Sequence, residues 1–508
     1  MHTQRLGSAH ANGALIAVLF QEHCDWEALI RPMPIRILES FAPYHLSKIV
    51  SLLAGVTAAV GGYAPNKPSK TGSYPMGGAY DQSFQEGYSI LKHYGHNGPY
   101  SNRMSYGIGR DPPQGCAVDQ VIMIHRHGER YLEGAAATKV PNTLRKVYSA
   151  NVTRWSDELE FLNRWQYFIP HEGYIGLETY TGPYSGLMDA YRHGAEYAVR
   201  YGHLWDPTAS NLTIPMFSAG WERVVQTGRK FAFDLGEGFF GWNYTDVVAM
   251  NIISEDWTQG ANSLTPKCLT DEKLGSLKLN STDVYNLMQM AAFELNVRGY
   301  SDWIDVFTLD EWVSFGYTQD LYFYYCAGPG NEKMKAVGSV YANATLKLLN
   351  EGPDKAGKMY WSFSHDTSIT PIFAALGIAV PDSDLDLEHI RFPNEYQLGN
   401  IMPMGGHLTM ERMACNATQV TAADTYVRLV LNEAVVPFSR CQNGPGFSCS
   451  LSNYTSIVSR SLLDFASTCG YNESYPQQLN FFWDYNTTKI NNEQNGYIPY
   501  QSSQVYSQ

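Results

Sequence analysis

Two short apolar runs stand out along the chain because polar residues follow each of them at once. The runs are VDQVIMIHR at 118–126 and KMYWSFS at 358–364, and we predict that both are buried strands. After the second run, HDTSITPIFAALG has the spacing of an amphipathic helix that Gly377 closes. A strand that leads directly into a helix is typical of an α/β core.

Between the two runs, apolar residues recur mostly at helical spacing. Residues 146–169, 186–205 and 283–293 are all predicted to be helical on this pattern. We therefore predict a helical insertion in an α/β core. The core is assigned to 65–140 and 305–490, and the insertion to 141–304, with a return to the core near 214–235.

The N-terminal part carries a different kind of apolar run. Residues 49–64, IVSLLAGVTAAVGGYA, follow a lysine and end in small residues, and they are too few for a membrane-spanning helix. The run is typical of a signal-peptide core. Since the charged lead-in is long for a signal and Met33 would give a conventional length, we predict that 1–32 are an upstream extension or an artefact of start assignment, and that the mature chain begins between about 60 and 70. The leader thus covers 1–64, a disordered arm is the alternative, and 491–508 form a low-complexity tail.

Composition and charge narrow the class of protein. The chain has 508 residues, of which 44% are hydrophobic and 17% charged, as in an ordered globular protein. The net charge of −13 argues against binding to nucleic acid by bulk electrostatics. Past the leader, no apolar run is long enough to span a membrane, so stable membrane insertion is not expected.

Glycosylation signals indicate an extracellular compartment. Nine Asn-X-Ser/Thr sequons are spread along the chain, as in a secreted glycoprotein. They lie at Asn151, Asn211, Asn243, Asn280, Asn343, Asn416, Asn453, Asn472 and Asn486. Eight cysteines form no CxxC metal pattern. Secretion, to the medium, the cell wall or the periplasmic space, is the predicted location.

The tripeptide Arg-His-Gly occurs twice, at 126–128 and 192–194. The second copy lies inside the predicted helix 186–205, where Tyr191, Ala195 and Ala198 would mark the buried stripe. Glu196, two residues after its glycine, would repel a phosphate. We therefore interpret His193 as a packed or solvated helical residue.

The first copy lies where the predicted strand ends, and at that position its side chains could take part in catalysis. Gly128 permits a tight turn, and a helix that begins there would point its free N–H groups at an anion. Arg126 and Arg130 flank His127, and guanidinium groups match phosphate oxygens. A neutral imidazole in such a cage can attack phosphorus and form a phosphohistidine. A buried structural histidine is the alternative.

The second strand end supplies a proton donor. Asp366 could protonate the leaving oxygen and then activate water, while His365 could hydrogen-bond the phosphate. A helix N-terminus would lower the pKa of Asp366 and a bound phosphate would raise it. Metal binding through His125 and His127 is a weaker reading, because zinc needs three or four ligands. No metal or other cofactor is expected.

Together these residues resemble the histidine acid phosphatase family, in particular the secreted yeast acid phosphatases and their phytase relatives. The resemblance rests on five segments in family order, within about 75–485. They are RHGERY (126–131), SAGWERVVQTGRKFA (218–232), FELNVRG (293–299), FSHDTS (363–368) and VPFSRCQNGPGFSC (436–449). The resemblance implies a doubly wound histidine-phosphatase-like α/β core with a smaller all-α domain inserted.

The resemblance also implies roles for individual residues. His127 is the expected nucleophile and Asp366 the proton donor. The expected phosphate ligands are Arg126, Arg130, Arg223 and His365, and Arg223 rests on the resemblance alone. The loop at 93–101 is expected at the mouth of the pocket. The chain departs from the family pattern at Leu132, where proline is usual.

Disulfides are likewise implied by the resemblance. The implied pairs are Cys116 with Cys415, Cys268 with Cys469, and Cys441 with Cys449. Cys326 is expected to remain a buried thiol, and Cys24 falls in the leader.

The sequence thus predicts a secreted acid phosphomonoesterase that acts on small phosphate monoesters. Phytate as a substrate stays open, because a phytase needs further basic groups at the pocket mouth. Two alternatives remain. A phosphoglycerate-mutase-type enzyme shares the Arg-His-Gly chemistry, but the leader and sequons argue against it. A catalytically inactive secreted glycoprotein that binds phosphate esters would have no need of both His127 and Asp366.

Overall fold

The protein is described here from a computed structural model. The structure describes residues 82–85, 88–149, 152–205, 214–239, 247–268, 281–387, 389–419, 422–472 and 474–484. The predicted leader and tail lie outside these residues, as do five of the nine sequons. Among the other four, Asn416, Asn453 and Asn472 are exposed, whereas Asn343 is partly buried on a helix.

A mixed sheet of eight strands forms the centre of the described fold. The strands are β1 (Cys116–Arg126), β2 (Ile214–Ala219), β3 (Val248–Ile253), β4 (Met359–Ser364), β5 (His407–Cys415), β6 (Asp424–Leu431), β7 (Ala434–Val436) and β8 (Cys449–Ser450). Their order is β8-β6-β5-β1-β4-β2-β3, and β7 pairs with β6. Strands β1, β4, β2 and β3 are mutually parallel, and β5 runs antiparallel to β1.

Helices surround the sheet and extend beyond it. They are α1 (Gly134–Tyr148), α2 (Gly186–Tyr201), α3 (Glu222–Phe233), α4 (Ser281–Arg298), α5 (Leu309–Ala327), α6 (Glu332–Ala356), α7 (Asp366–Leu376), α8 (Leu398–Ile401), α9 (Leu451–Ser461), α10 (Phe465–Cys469) and α11 (Phe481–Asp484). None of these helices is long and apolar enough to cross a bilayer.

The α/β prediction is confirmed, including both strands and the helix that follows the second. Gly377 ends α7 with a left-handed φ of 72°, a conformation that favours glycine. The helix predicted over 146–169 is wrong. Helix α1 ends at Tyr148, and the next regular turn is a short 3-10 helix, Asp157–Asn163. The Asn163 side chain bonds both the N–H and the carbonyl of Trp155, which closes a turn in place of a helix.

Two apolar clusters divide the described chain. The larger one packs around the sheet and includes residues of α2, α3, α5, α6 and α7. The smaller one is mainly helical and joins Ile90–Tyr94, parts of 131–169 and most of 284–315. Within the predicted insertion, residues of α2 and further residues up to Leu264 belong to the larger cluster.

Three disulfides have the pairing that the resemblance implies: Cys116–Cys415, Cys268–Cys469 and Cys441–Cys449. The first joins directly opposed residues of β1 and β5, at the end of β1 that is far from Arg126. Cys326 is buried in α5 and takes no part in a disulfide.

Candidate active site

The candidate site is built at the carboxyl ends of neighbouring parallel strands. Arg126 ends β1 beside Ser364 at the end of β4, so His127 and His365 are the next residues of adjacent strands. The His127 N–H donates to the Ser364 carbonyl over 3.0 Å. Strand β2 lies on the other side of β4, and Arg223 sits in the first turn of the helix that follows it. Ligands bind at such strand ends in open α/β sheets.

His127 is held as a neutral imidazole. Its Nδ1 lies 2.8 Å from the Gly128 carbonyl, which can only accept, so Nδ1 carries the proton and Nε2 keeps its lone pair. Burial lowers the pKa of His127 well below its usual range, and the charges of Arg223, Arg126 and Arg130 lower it further. The ring therefore keeps a nucleophilic nitrogen in acid, where an exposed histidine would be protonated.

Gly128 does not begin a helix, contrary to the prediction. Helix α1 starts six residues later, at Gly134, so no helix N-terminus lies directly after His127. The glycine is required instead by close packing, because a Cβ at this position would lie 2.7 Å from the Gly186 carbonyl. The Gly128 N–H donates to Glu178 over 2.6 Å and to Thr227 over 3.0 Å.

Arg126 is fully buried and fixed by three contacts. Its Nη1 donates to the carbonyls of His96 and Met402, over 2.8 and 3.0 Å. Its Nη2 pairs with Asp366 Oδ2 at 2.7 Å. Burial lowers the pKa of Arg126 to about 10, so the guanidinium keeps its charge in acid and neutral solution. His96 belongs to the 93–101 loop, which the sequence places at the pocket mouth.

Arg130 and Arg223 complete a group of three arginines. Arg223 stacks over Trp221 at 4.6 Å, and Arg130 stacks over Phe293 at 5.3 Å. Both arginines contact Glu133, which the sequence reasoning missed. Burial lowers the pKa of Arg223 to about 10, so this side chain also stays charged in acid.

His365 is oriented by a carboxylate that the sequence reasoning also missed. Its Nε2 lies 3.1 Å from Glu255, and its Nδ1 faces Arg223 Nη2 at 3.4 Å. Glu255 also accepts the Trp221 N–H over 2.8 Å. It follows β3 by two residues, so the rule that sites form at parallel strand ends was the signal that could have found it.

Asp366 begins α7 and lies opposite Arg126. Burial raises the pKa of this carboxyl, but Arg126, His96 and Arg130 lower it more, to about 2. The Thr367 N–H adds a hydrogen bond to Asp366 Oδ1 over 2.8 Å. The carboxyl of Asp366 is therefore ionised in neutral and mildly acidic solution.

A buried acid, Glu178, supports the backbone after His127. Burial raises its pKa from 4.5 to about 8, although Thr227 and the Gly128 N–H donate to it. The unfolded chain loses this proton near pH 4.5 while the folded chain keeps it to about pH 8. The free energy of unfolding must therefore fall as pH rises through this window.

We expect Glu178→Gln to remove that pH dependence, because the amide stays uncharged. Between about pH 4.5 and 8, its unfolding free energy should fall less than that of wild type, by up to about 1.4 kcal/mol per pH unit. Urea unfolding at both ends of the window measures this. Glu172→Gln, which changes an exposed acid, should follow wild type; equal slopes in all three proteins would contradict the expectation.

The second Arg-His-Gly copy is structural. Arg192 is exposed and pairs with Asp189, while Gly194 lets α2 approach the Phe231 carbonyl closely. His193 is buried, and its Nδ1 lies 2.8 Å from His125 Nε2. The stripe predicted for α2 is therefore misplaced. Tyr191 is exposed and Ala195 only partly buried, whereas Ala190, His193, Gly194, Tyr197, Ala198 and Tyr201 are buried.

His125, His193 and His407 are the group in the described part of the chain that could hold a metal ion. Most of their ring nitrogens already have partners. His125 uses Nδ1 on the Arg126 carbonyl and Nε2 on His193. His407 uses Nδ1 on the Gly405 carbonyl and Nε2 on Glu433. A metal would have to replace these bonds, so the cluster is better interpreted as a hydrogen-bonded support beneath Arg126.

A cavity of about 700 Å³ opens beside the arginines. Its wall includes Arg130, Glu133, Trp221, Arg223, Gln289 and Phe293, and of these Phe293 belongs to the smaller apolar cluster. The structure thus brings His127, Asp366, Arg126, Arg130, Arg223 and His365 together at one end of the sheet. A neutral imidazole, a carboxyl group and several cationic side chains are the groups that phosphoryl transfer through a histidine would require.

Known proteins resemble this chain over most of its length. A phytase of Candida albicans is 35% identical over 444 residues, which cover 81% of this chain and 93% of the relative. The constitutive acid phosphatase of Saccharomyces cerevisiae is 34% identical over 444 residues, covering 79% and 91%. The crystal structure of the phytase from D. castellii superposes with a TM-score of 0.73 at 34% identity, covering 83% of this chain and 96% of that one.

The model of one protein family matches the chain across the candidate site. It is described as the histidine phosphatase superfamily, branch 2, and it matches residues 117–274 and 266–432. These ranges contain His127, Arg223 and Asp366. The chain therefore belongs to branch 2 of the histidine phosphatase superfamily.

Proposed function

We propose that the protein is an acid phosphomonoesterase that works through a phosphohistidine. The observation that carries the proposal is a neutral His127 inside a group of three charged arginines. Such a histidine can attack a phosphate ester in acid, where most histidines carry a proton. Relatives named acid phosphatase and phytase support the same chemistry.

The reaction proceeds in two displacements. First, His127 Nε2 forms a bond to phosphorus, the ester P–O bond breaks, and Asp366 gives its proton to the leaving oxygen. Second, a water loses a proton to Asp366 and attacks phosphorus, the P–N bond breaks, and inorganic phosphate is released. Arg126, Arg130, Arg223 and His365 hold the phosphoryl oxygens through both steps.

Substrate binding changes the state of Asp366. The low pKa of Asp366 depends on Arg126, His96 and Arg130. A bound phosphate takes up the charge of both arginines and adds a negative charge of its own, so the pKa of Asp366 rises. Below about pH 6 a phosphate monoester also carries a proton on its phosphoryl group. That proton can pass to Asp366, which explains why the reaction favours acid.

The proposal includes secretion and a small phosphate monoester as substrate. Three disulfides suit an oxidising compartment, and the sequons agree with it. Neither step as written uses a metal ion or another cofactor.

In the described wall of the cavity, the negative charges of Glu133 and Glu222 equal the positive charges of Arg130 and Arg223 in number. A polyanionic substrate therefore gains little binding energy there from charge alone.

Phosphate release tests the proposal. We expect hydrolysis of p-nitrophenyl phosphate that is strongest in acid, within about pH 3–7, and survives EDTA. Because charges in the described wall cancel, kcat/KM should be higher for p-nitrophenyl phosphate than for phytate. Higher kcat/KM for phytate would contradict the substrate expectation. No release from either ester would favour a glycoprotein that binds phosphate esters without cleaving them.

A further inference from the structure

Each arginine of the site already has a carboxylate partner. Arg126 pairs with Asp366 at 2.7 Å, and Asp366 has a part in the proposed chemistry. Arg130 and Arg223 both pair with Glu133, and Glu133 takes part in neither step of the proposed reaction. The positive charge that should bind phosphate is therefore largely neutralised within the protein.

Glu133 contacts the two arginines much as a phosphate would. Its Oε2 lies 2.6 Å from Arg223 Nη1, and its Oε1 lies 3.1 Å from Arg223 Nη2. The same Oε1 lies 3.0 Å from Arg130 Nη2. The Nη2–Oε1 contact with Arg223 is a hydrogen bond and the Nη1–Oε2 contact is an ion pair, so the carboxylate occupies the nitrogens with which Arg223 would bind phosphate oxygens.

The side chain of Glu133 is not needed for the helix that follows it. The residue occupies the N-cap position of α1, yet its side chain makes no capping hydrogen bond. It lies on the cavity wall instead, with a side chain 24% exposed. The carboxylate of Glu133 therefore contacts two arginines of the site and does not cap the helix.

We propose that Glu133 is a specificity-determining residue that competes with phosphate for Arg130 and Arg223. A phosphate group must displace the Glu133 carboxylate before it can use both guanidinium groups. The competition weakens the binding of inorganic phosphate, which is the product, and so favours its release. This inference rests on the proposed function, because it assigns phosphate to the same arginines.

Direct binding of inorganic phosphate, measured by calorimetry in acid, tests the inference. We expect Glu133→Gln to bind phosphate about tenfold more tightly than wild type, because the amide is uncharged and competes poorly for the arginines. The inhibition constant of phosphate and KM should fall in the same variant. Glu222→Gln is the matched control: Glu222 lines the same cavity but accepts from Gln226 at 2.9 Å. It should change phosphate affinity by no more than about twofold.

Three results would overturn the inference. Unchanged phosphate affinity in Glu133→Gln would show that the carboxylate does not compete. Weaker binding would show that it orients the arginines. An equal gain in phosphate affinity in Glu133→Gln and Glu222→Gln would show that the effect depends only on the total charge of the cavity. Melting temperatures check folding, and if Glu133→Gln does not fold, Glu133→Asp should tighten binding by withdrawing the carboxylate.

Failure of this inference differs from failure of the proposed function. Calorimetry reports phosphate binding whether or not an ester is cleaved. An absence of turnover in wild type would count against the phosphatase, whereas equal phosphate affinities would count against the competition by Glu133.

Discussion

Replacing His127 with alanine is expected to lower kcat by at least about a thousandfold. In the proposed reaction the imidazole supplies the lone pair that attacks phosphorus, and we expect that water cannot replace it at the same position. The substitution removes a ring that is 1% exposed, so it also leaves a cavity. The three arginines remain, and the variant should still bind phosphate.

Trapping of the phosphoenzyme distinguishes loss of chemistry from loss of folding. Wild type that is mixed with a labelled ester and quenched in alkaline denaturant should retain label on histidine, and His127→Ala should retain none. His193→Ala is the control from the second tripeptide. It loses the bond to His125 and some stability, yet kcat per folded molecule should stay within about tenfold of wild type. Label on the His127→Ala protein would contradict the assignment.

Replacing Asp366 with asparagine should lower kcat by about 10²–10⁴ for an alkyl phosphate such as glycerol phosphate. The amide keeps the shape of the side chain but cannot give a proton to the leaving alkoxide. A leaving group that is stable as an anion needs no such proton. The loss of kcat/KM, which reports only the first displacement, should therefore be much smaller for p-nitrophenyl phosphate, whereas kcat also includes the second displacement, in which Asp366 accepts the proton of water.

The comparison of the two esters separates acid catalysis from charge pairing. Asp366 also neutralises Arg126, and loss of this pair alone would slow both esters equally. We expect the ratio of the two kcat/KM values to increase in Asp366→Asn, with glycerol phosphate the slower substrate, because kcat/KM excludes the second displacement that both esters share. An unchanged ratio would assign Asp366 to the positioning of Arg126. Phosphate affinity, measured alongside, reports whether the arginines are still in place.

Much of the site could be predicted from the sequence because its residues lie next to strand ends. His127, His365 and Asp366 directly follow apolar runs, and adjacent parallel strands bring such positions together. This rule could not find Glu133, and it could find Glu255 only through β3 (Val248–Ile253), a strand that the sequence analysis does not predict. Their importance lies in contacts with Arg223 and His365, which are 90 and 110 residues away in sequence, and one carboxylate in a loop resembles any other.

Local patterns failed where tertiary contacts decided the conformation. Helical spacing over 146–169 is real, but the side chain of Asn163 closes a turn onto Trp155. Gly128 signals a turn and a helix start, yet its role is to let the backbone of Gly186 approach. The buried face of α2 follows the contacts of His193 and Gly194 rather than its most hydrophobic residues.

The residues proposed for the chemistry and the helical residues of the cavity wall belong to different apolar clusters. Strand ends on the sheet cluster carry His127, His365 and Asp366, whereas Gln289 and Phe293 on the cavity wall belong to a helix of the other cluster. Mutations in that helix can reshape the wall while the strand ends stay in place. Substitutions of Gln289 can therefore change which esters fit the cavity without moving the strand ends, whereas Phe293 also stacks on Arg130.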